Sequence, residues 1–389
     1  MIISPISKIY EVLGITNKKD LQKVSKELSI SSETLKGYAK NMSIPAGKDA
    51  KKIQDFLGIS ELEYQIKFGS FSGEIKDAIA NHAKEIASLI AKDMEHSREP
   101  KRQFKPIFES SKGQLFQADS LNLMKSMADD SVDLIFADPP FNLGKKYESR
   151  IDDQLSNETY LKWTESWVQE AVRILKPGGS VFIWSLPKWN TYISEILNRH
   201  LTFRHWIAVN MKYGFPIKNK LYPAHYALVY YVKGNKPNSF HPDRLPMDVC
   251  RACGHELKDY GGYKNKMNPR GITLSDVWND IYPVRHEKYK KRQSNELSLK
   301  LLDRIISMAT NPGDVVFDPF GGSGTTYVVA EMLNRKWIGS EIGPVMKIIE
   351  RLKNIRKEEP QLELIHSEKN KLFLPKTVAL RKKNGFWLP

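Results

Sequence analysis

Apolar positions follow one rhythm in the first quarter of the chain and another in the rest. Up to about residue 70 they recur three and four apart in short runs broken by Gly, Asn and Ser. Leu21, Val24 and Leu28 fall on one face, and Leu35 and Tyr38 on the next, so the segment predicts short amphipathic helices. Ser31-Ser32-Glu33-Thr34 supplies the turn and the capping oxygens for the second of these, read as Glu33 to Lys40. From Glu74 to His96, Ile75, Ile79, Ala83, Ile86, Ile90 and Met94 keep the same spacing and predict one long amphipathic helix. REPKRQFKPIF, residues 98–108, is charged and proline-bearing, and marks a boundary between domains.

Beyond it, short apolar runs alternate with helical periods. Strands are predicted at Leu115–Ala118, Val132–Ala137, Ser180–Trp184, Trp206–Asn210, Ala227–Val232, Val315–Phe317 and Trp337–Ser340. Helices are predicted at Glu158–Leu175, Asn295–Ala309 and Gly324–Leu333. The alternation predicts an α/β fold, a doubly wound and mostly parallel sheet preceded by an all-helical module. Ligands of such sheets sit at the carboxyl ends of the strands.

Composition narrows the class. With 389 residues, 41% of them apolar, the chain can bury a sizeable core, and no run reaches the roughly 18 apolar residues of a membrane helix. Two cysteines cannot build a disulfide framework, which with the N-terminal sequence points to the cytoplasm. The formal net charge of +15 is unevenly placed: residues 201–300 carry 18 Lys+Arg against 8 Asp+Glu, whereas residues 1–100 carry 15 against 14. A basic excess confined to one segment and interleaved with Tyr, Trp and Phe fits a surface that faces phosphates.

Two strand ends carry chemistry. Val315–Phe317 runs into Asp318-Pro319-Phe320-Gly321-Gly322-Ser323-Gly324-Thr325-Thr326 and then a helix. The glycines let the backbone approach a ligand closely. There is no Lys after them, as a phosphate loop requires, and the spacing is not Gly-x-Gly-x-x-Gly. The next strand ends in Glu341, where an acidic side chain would hold the hydroxyls of a ribose. A nucleoside-bearing ligand without a phosphate clamp is implied. At the other strand end, Val132–Ala137 runs into Asp138-Pro139-Pro140-Phe141. One carboxylate, one carbonyl on a stiff double proline and one aromatic ring suit a planar ligand with an amino group.

DPPF together with DPFGGSGTT resembles the paired signature of the S-adenosylmethionine-dependent DNA amino methyltransferases, which act on adenine N6 or cytosine N4. The similarity spans about residues 113–345 and includes QADSLNLMKSMADDSVDLIFADPPF and LKPGGSVFIW. The catalytic motif comes first and the cofactor motif last, as in the family's beta class. The resemblance implies that Asp318, Phe320, Gly321, Gly322, Ser323, Gly324 and Thr325 line the S-adenosylmethionine pocket, with Glu341 on the ribose and Asp119 near the adenine. Asp138, Pro139, Pro140 and Phe141 would receive the target base. The family's His-Pro-Thr-Gln-Lys-Pro stretch reads Gln293 to Ser298 here, so Asn295 or a backbone amide of the glycine turn is left to meet the cofactor's carboxylate. Asp at the first catalytic position favours adenine, cytosine N4 being the alternative.

The resemblance also divides the chain. Residues 1–70 form a module resembling the helix-turn-helix of phage repressors, and 71–112 an amphipathic helix and linker. Residues 113–234 form the catalytic half, 235–295 a target-recognition region, and 296–389 the cofactor-binding half and tail. Carbon-5 cytosine methylation, which in its own family needs a Cys after Pro, is disfavoured, because Cys250 follows Val249 and Cys253 follows Ala252. Cys250-Arg251-Ala252-Cys253-Gly254-His255 is half of a zinc-site pattern, which makes a structural zinc the other cofactor candidate, with His241 and His255 the nearest further ligands. Duplex DNA is the expected partner and a membrane is not. A cognate restriction endonuclease and a second copy of the chain stay open, as does a regulatory reading in which the helical module binds DNA on its own account.

Overall fold

The computed structural model describes residues 7–94, 103–143, 155–210, 218–219, 221–222, 224–250, 252–255, 266–281 and 296–389. The chain forms two compact units, one of Met1–Lys101 with Asn142–Lys146 and Asp152–Thr164, the other of Arg102–Phe141, Tyr147–Ile151 and Glu165–Pro389.

The first unit is helical. Its helices run Lys8–Val12, Lys18–Leu28, Ser32–Asn41, Lys48–Leu57, Glu61–Phe68, Gly73–Asn81 and Ala83–Met94. Side-chain caps start several of them: Asn17 accepts from Lys19 and Asp20, Ser31 from Thr34, and Ser60 with Glu63 closes a capping box. Leu21, Val24, Leu28, Ile30, Leu35, Ile53 and Tyr64 turn inward to make one core. The single helix expected over Glu74–His96 is instead two, parted at His82, whose φ of −105° and ψ of 23° end the first. Gly73–Asn81 has no buried residue. Without a packed face to hold it, the local preference of Asn81 and His82, both poor helix formers, decides the break.

The second unit is built on strands β1 (Phe108–Glu109), β2 (Gly113–Gln117), β3 (Val132–Ala137), β4 (Leu175–Ser185), β5 (Thr202–Asn210), β6 (His225–Val232), β7 (Arg244–Leu245), β8 (Ile272–Thr273), β9 (Val277–Trp278), β10 (Val315–Asp318) and β11 (Lys336–Glu341). Nine form one sheet in the order β1-β2-β11-β10-β3-β4-β6-β5-β9, and β7 pairs with β8. The block from β2 to β4 is wholly parallel, whereas β6 runs antiparallel between β4 and β5. All seven predicted strands are present. Strand β4 begins five residues earlier than expected, because Leu175 pairs with Val132 across a register shift before the ladder resumes at Ser180. Its last seven residues are all buried, as in a sheet covered on both faces. Helix Thr325–Met332 packs on β10 and β11 and against helix Leu299–Ala309, and Pro187–Asn198 packs on β4, β5 and β6.

From β10 the chain crosses to β11 on one side, and from β3 to β4 on the other. The direction of crossing therefore reverses between β10 and β3, and at such a switch point an open α/β sheet leaves a crevice at its carboxyl edge.

Candidate active site at adjacent strand ends

Both predicted motifs lie in the second unit, at the carboxyl ends of neighbouring strands. Strands β10 and β3 are parallel, with Val316 opposite Leu134 and Phe317 opposite Ile135, so Asp318 and Asp138 leave the same edge of the sheet about one strand spacing, about 4.8 Å, apart in the hydrogen-bonding direction. Asp133 locks this register from below: its Oδ2 accepts from the Val315 amide at 2.8 Å and pairs with Lys176 at 2.7 Å.

The glycine turn is held from both of its ends. Asp318 is buried; its Oδ1 accepts from the Phe320 amide at 2.9 Å and its Oδ2 from the Thr326 hydroxyl at 2.5 Å. Burial pushes this carboxyl up to about 7, with the charge of Glu341 adding to the rise against the lowering by its two donors. Gly322 and Gly324 take φ of 54° and 76°, in the left-handed region that glycine enters without strain. At Gly321 the limit is space, since a Cβ there would sit 2.4 Å from the Tyr327 hydroxyl. That hydroxyl donates toward the carbonyls of Asp318 at 3.0 Å and Ser340 at 3.1 Å, tying the ends of β10 and β11 together.

Glu341 accepts from the Gly322 amide at 2.8 Å and from the Gly343 amide at 2.7 Å, one on each carboxylate oxygen. Each oxygen keeps a further lone pair for a diol, so the acceptor chemistry fits a ribose. Asp119 follows β2, whose Gln117 is opposite Glu341, which sets the two acids on adjacent strand ends. The Asp119 carboxylate caps the next helix by accepting from Asn122 at 2.9 Å. Phe320 meets Trp167 edge to face at 5.3 Å, and the Ser323 and Thr325 hydroxyls are 3.0 Å apart. Asn295 lies outside the described residues.

On the other side, Asp138 and Pro140 are half-buried, and Pro139 and Phe141 buried. The Phe141 carbonyl accepts from the Trp189 indole at 2.7 Å, and its ring tilts against Tyr226 at 6.3 Å. Tyr226 stacks on Trp184 at 4.9 Å. The aromatic wall thus extends from the double-proline corner to the end of β4 and the start of β6. Sequence reading singled out Phe141 alone. Trp184, as an aromatic at a strand's carboxyl end, carried a signal; Tyr226 did not, because β6 runs the other way and brings its first residues to this edge.

Arg351 is a further residue that sequence reading missed. Buried on helix Met346–Lys353, it donates to the Ser323 carbonyl at 3.0 Å and to the Thr325 hydroxyl at 2.9 Å. Among the described residues no group of three His, Cys, Asp or Glu is placed to hold a metal. His241 bonds Asn311 at 3.0 Å, and the His255 ring packs on Phe386 at 4.9 Å. Buried Arg381 braces the Cys250 turn by donating to the Gly254 and Trp387 carbonyls.

The model of the N6/N4 DNA methylase family matches residues 132–351, a span that starts with β3, takes in both motifs and ends at Arg351. The chain belongs to this family. Its donor is S-adenosylmethionine, and the enzyme is a DNA methyltransferase. Among its relatives, the type II methyltransferase M.BamHI of Bacillus amyloliquefaciens is 51% identical over 383 residues, 97% of this chain and 89% of that protein. M.HpaI of Haemophilus parainfluenzae is 33% identical over 230 residues, covering 59% and 69% of the two chains. The DNA adenine methyltransferase YhdJ of Escherichia coli K12 is 31% identical over 233 residues, covering 59% and 78%. In this methylase the two strand ends, far apart in the chain, lie on neighbouring parallel strands.

Proposed function

We propose that this methylase modifies an exocyclic amino group in duplex DNA, as the modification enzyme of a restriction-modification system. The observation that carries the reading is the pairing of β10 with β3, which sets an acceptor-lined glycine turn beside the Asp138–Phe141 corner. When bound, S-adenosylmethionine supplies a methyl group on a sulfonium centre. The chain's own part is to present the nucleophile. An amino nitrogen conjugated into its ring is a poor nucleophile; hydrogen bonds from it to Asp138 and to the Pro139 carbonyl favour a tetrahedral nitrogen with a localised lone pair. The Asp138 carboxylate offsets the positive charge that develops there. The base has to leave the helix stack, at a cost of a few kcal/mol that the aromatic wall of Phe141, Tyr226 and Trp184 helps offset.

Asp at the first motif position favours adenine N6, with cytosine N4 as the alternative. Digesting modified duplex DNA to nucleosides separates them: N6-methyldeoxyadenosine or N4-methyldeoxycytidine that disappears with Asp138→Ala supports the proposal. Only 5-methyldeoxycytidine, or labelled RNA in preference to DNA, overturns it. The basic segment 235–295 is the candidate reader of the recognition sequence, and a cognate endonuclease and a second copy of the chain are the candidate protein partners.

The helical unit supports an added reading as a helix-turn-helix. Ser29, in the left-handed region, and Ser31, the next cap, join Lys18–Leu28 to Ser32–Asn41, and Ile30 and Leu35 pin the turn to the core. Specific binding at the protein's own promoter that survives Asp138→Ala supports this regulatory role; no promoter binding removes it.

A further inference from the structure

We propose that Arg351 is a positioning residue for the cofactor turn, an inference that rests on the reading of Asp318–Thr325 as the S-adenosylmethionine pocket. Four hydrogen bonds hold its guanidinium. Nε and Nη2 form a fork on Glu358, at 2.6 Å to Oε1 and 2.7 Å to Oε2, while Nη1 reaches the Ser323 carbonyl and the Thr325 hydroxyl. A second buried carboxylate, Glu296, stands 3.9 Å from Nη1.

The placement is informative. Helix Met346–Lys353 follows the strand that ends in Glu341, and Glu358 precedes helix Glu359–Glu368. One side chain therefore ties the last part of the glycine turn to the segment after the ribose-side acid. The Thr325 hydroxyl that it holds also lies 3.0 Å from the Ser323 hydroxyl. Helix Thr325–Met332 begins at Gly324 with no side-chain cap, so Arg351 fixes from outside the helix the last part of the turn, as Glu341 fixes Gly322. A buried ion pair is a poor source of stability, since apolar side chains of similar size would serve as well or better. Its worth is geometric: only a planar fork can hold Glu358 with one edge and the turn with the other, which Lys cannot do.

The test uses the full-length protein and S-adenosylmethionine binding by calorimetry, alongside thermal unfolding and KM for each substrate. Arg351→Lys keeps the charge beside Glu358 but gives up the simultaneous hold on the turn. The double variant Arg351→Met with Glu358→Gln, made in a Glu296→Gln background, removes the guanidinium together with both carboxylates that face it, so that none is left buried opposite a missing partner. For both variants the expected result is a Kd for S-adenosylmethionine raised about 10- to 100-fold, the scale of a displaced positioning group, with KM for DNA unchanged and the double variant melting near the wild type. Wild-type Kd in both variants overturns the proposal, as does a loss of Kd in Arg351→Lys that the double variant restores together with its melting temperature, which marks a brace for folding alone. Absence of binding by the wild type overturns instead the cofactor reading beneath it.

Discussion

Asp318→Asn tests the electrostatics of the cofactor turn. The Asn side chain can keep both contacts, its oxygen accepting from the Phe320 amide and its nitrogen donating to the Thr326 hydroxyl, so the geometry survives and only the titration is removed. Burial raises Asp318 from an ordinary 3.8 to about 7. At about 1.4 kcal/mol per pH unit, that rise corresponds to roughly 4 kcal/mol, and because the group is buried none of it is lost to solvent screening. Between these two values the folded protein holds a proton that the unfolded chain has released, so this group's stabilisation is complete below 3.8 and is lost as pH climbs through about 7. Denaturant unfolding of the cofactor-free wild type and of Asp318→Asn, at steps from pH 5 to pH 8, isolates the contribution, since every other titrating group is common to both. The variant is expected to gain about 3 kcal/mol on the wild type across that range. A difference that stays flat with pH, or that moves against the variant as pH rises, refutes the account of a carboxyl desolvated in the fold.

Other perturbations address the remaining parts of the site. Asp138→Ala should lower kcat in a labelled methyl-transfer assay by about 10²- to 10³-fold, the scale of losing one group aimed at developing charge, with DNA affinity retained. Tyr327→Phe takes the hydroxyl from the carbonyls of Asp318 and Ser340, of which Ser340 keeps the Gly321 amide, and should cost about 1 kcal/mol in chemical denaturation. Gly324→Ala forces a side chain into a φ of 76° with a Cβ 2.7 Å from Ile348, and about 2 kcal/mol of stability should go with it, together with cofactor affinity. If the basic segment faces phosphates, log Kd for duplex DNA should rise linearly with log salt concentration, by about 0.9 per phosphate neutralised; a salt-independent Kd would remove that role.

Much of the sheet was legible because each strand of the parallel block announces itself locally. Val132–Ala137 and Val315–Asp318 are short apolar runs, each ending in an acid and a proline, and chemistry at a strand's carboxyl end can be placed without knowing the strand's neighbours. The neighbours themselves were not legible. No local signal says that β10 inserts between β11 and β3, yet that insertion turns two motifs into one crevice. It was the family resemblance that supplied the meeting of the two motifs. The break at His82 runs the other way: the apolar stripe predicts one long amphipathic helix, and Gly73–Asn81 buries none of its residues. Periodicity shows which face would be buried, not that a partner is there to bury it.

What stayed hidden is a set of buried charges whose partners are remote in the chain. Arg304, 1% exposed, forks onto Asp280 at 2.9 and 2.6 Å and lies over Trp278 at 4.9 Å. Lys369 pairs with Asp243 at 3.0 Å and with Asp303, which also meets His366 at 2.8 Å. Burial raises Asp280, but the bonds and charges of Arg304 and Lys300 outweigh it and hold this carboxyl well below the ordinary range. Read singly, each of these residues is one more charge in a chain rich in them, and the expectation for any one is a solvated surface. Together they fasten Asp243 and Asp280, near the two ends of the basic segment 235–295, to helix Leu299–Ala309, whose chain continues directly into the cofactor strand. If the segment reads DNA as proposed, it has to be held in fixed relation to the crevice, because a base lifted from the duplex must reach Asp138 while its neighbours are being read. The clamp fixes residues 243–280, whose 6 Lys+Arg are balanced by 6 Asp+Glu, and the basic excess of residues 201–300 lies on either side of them.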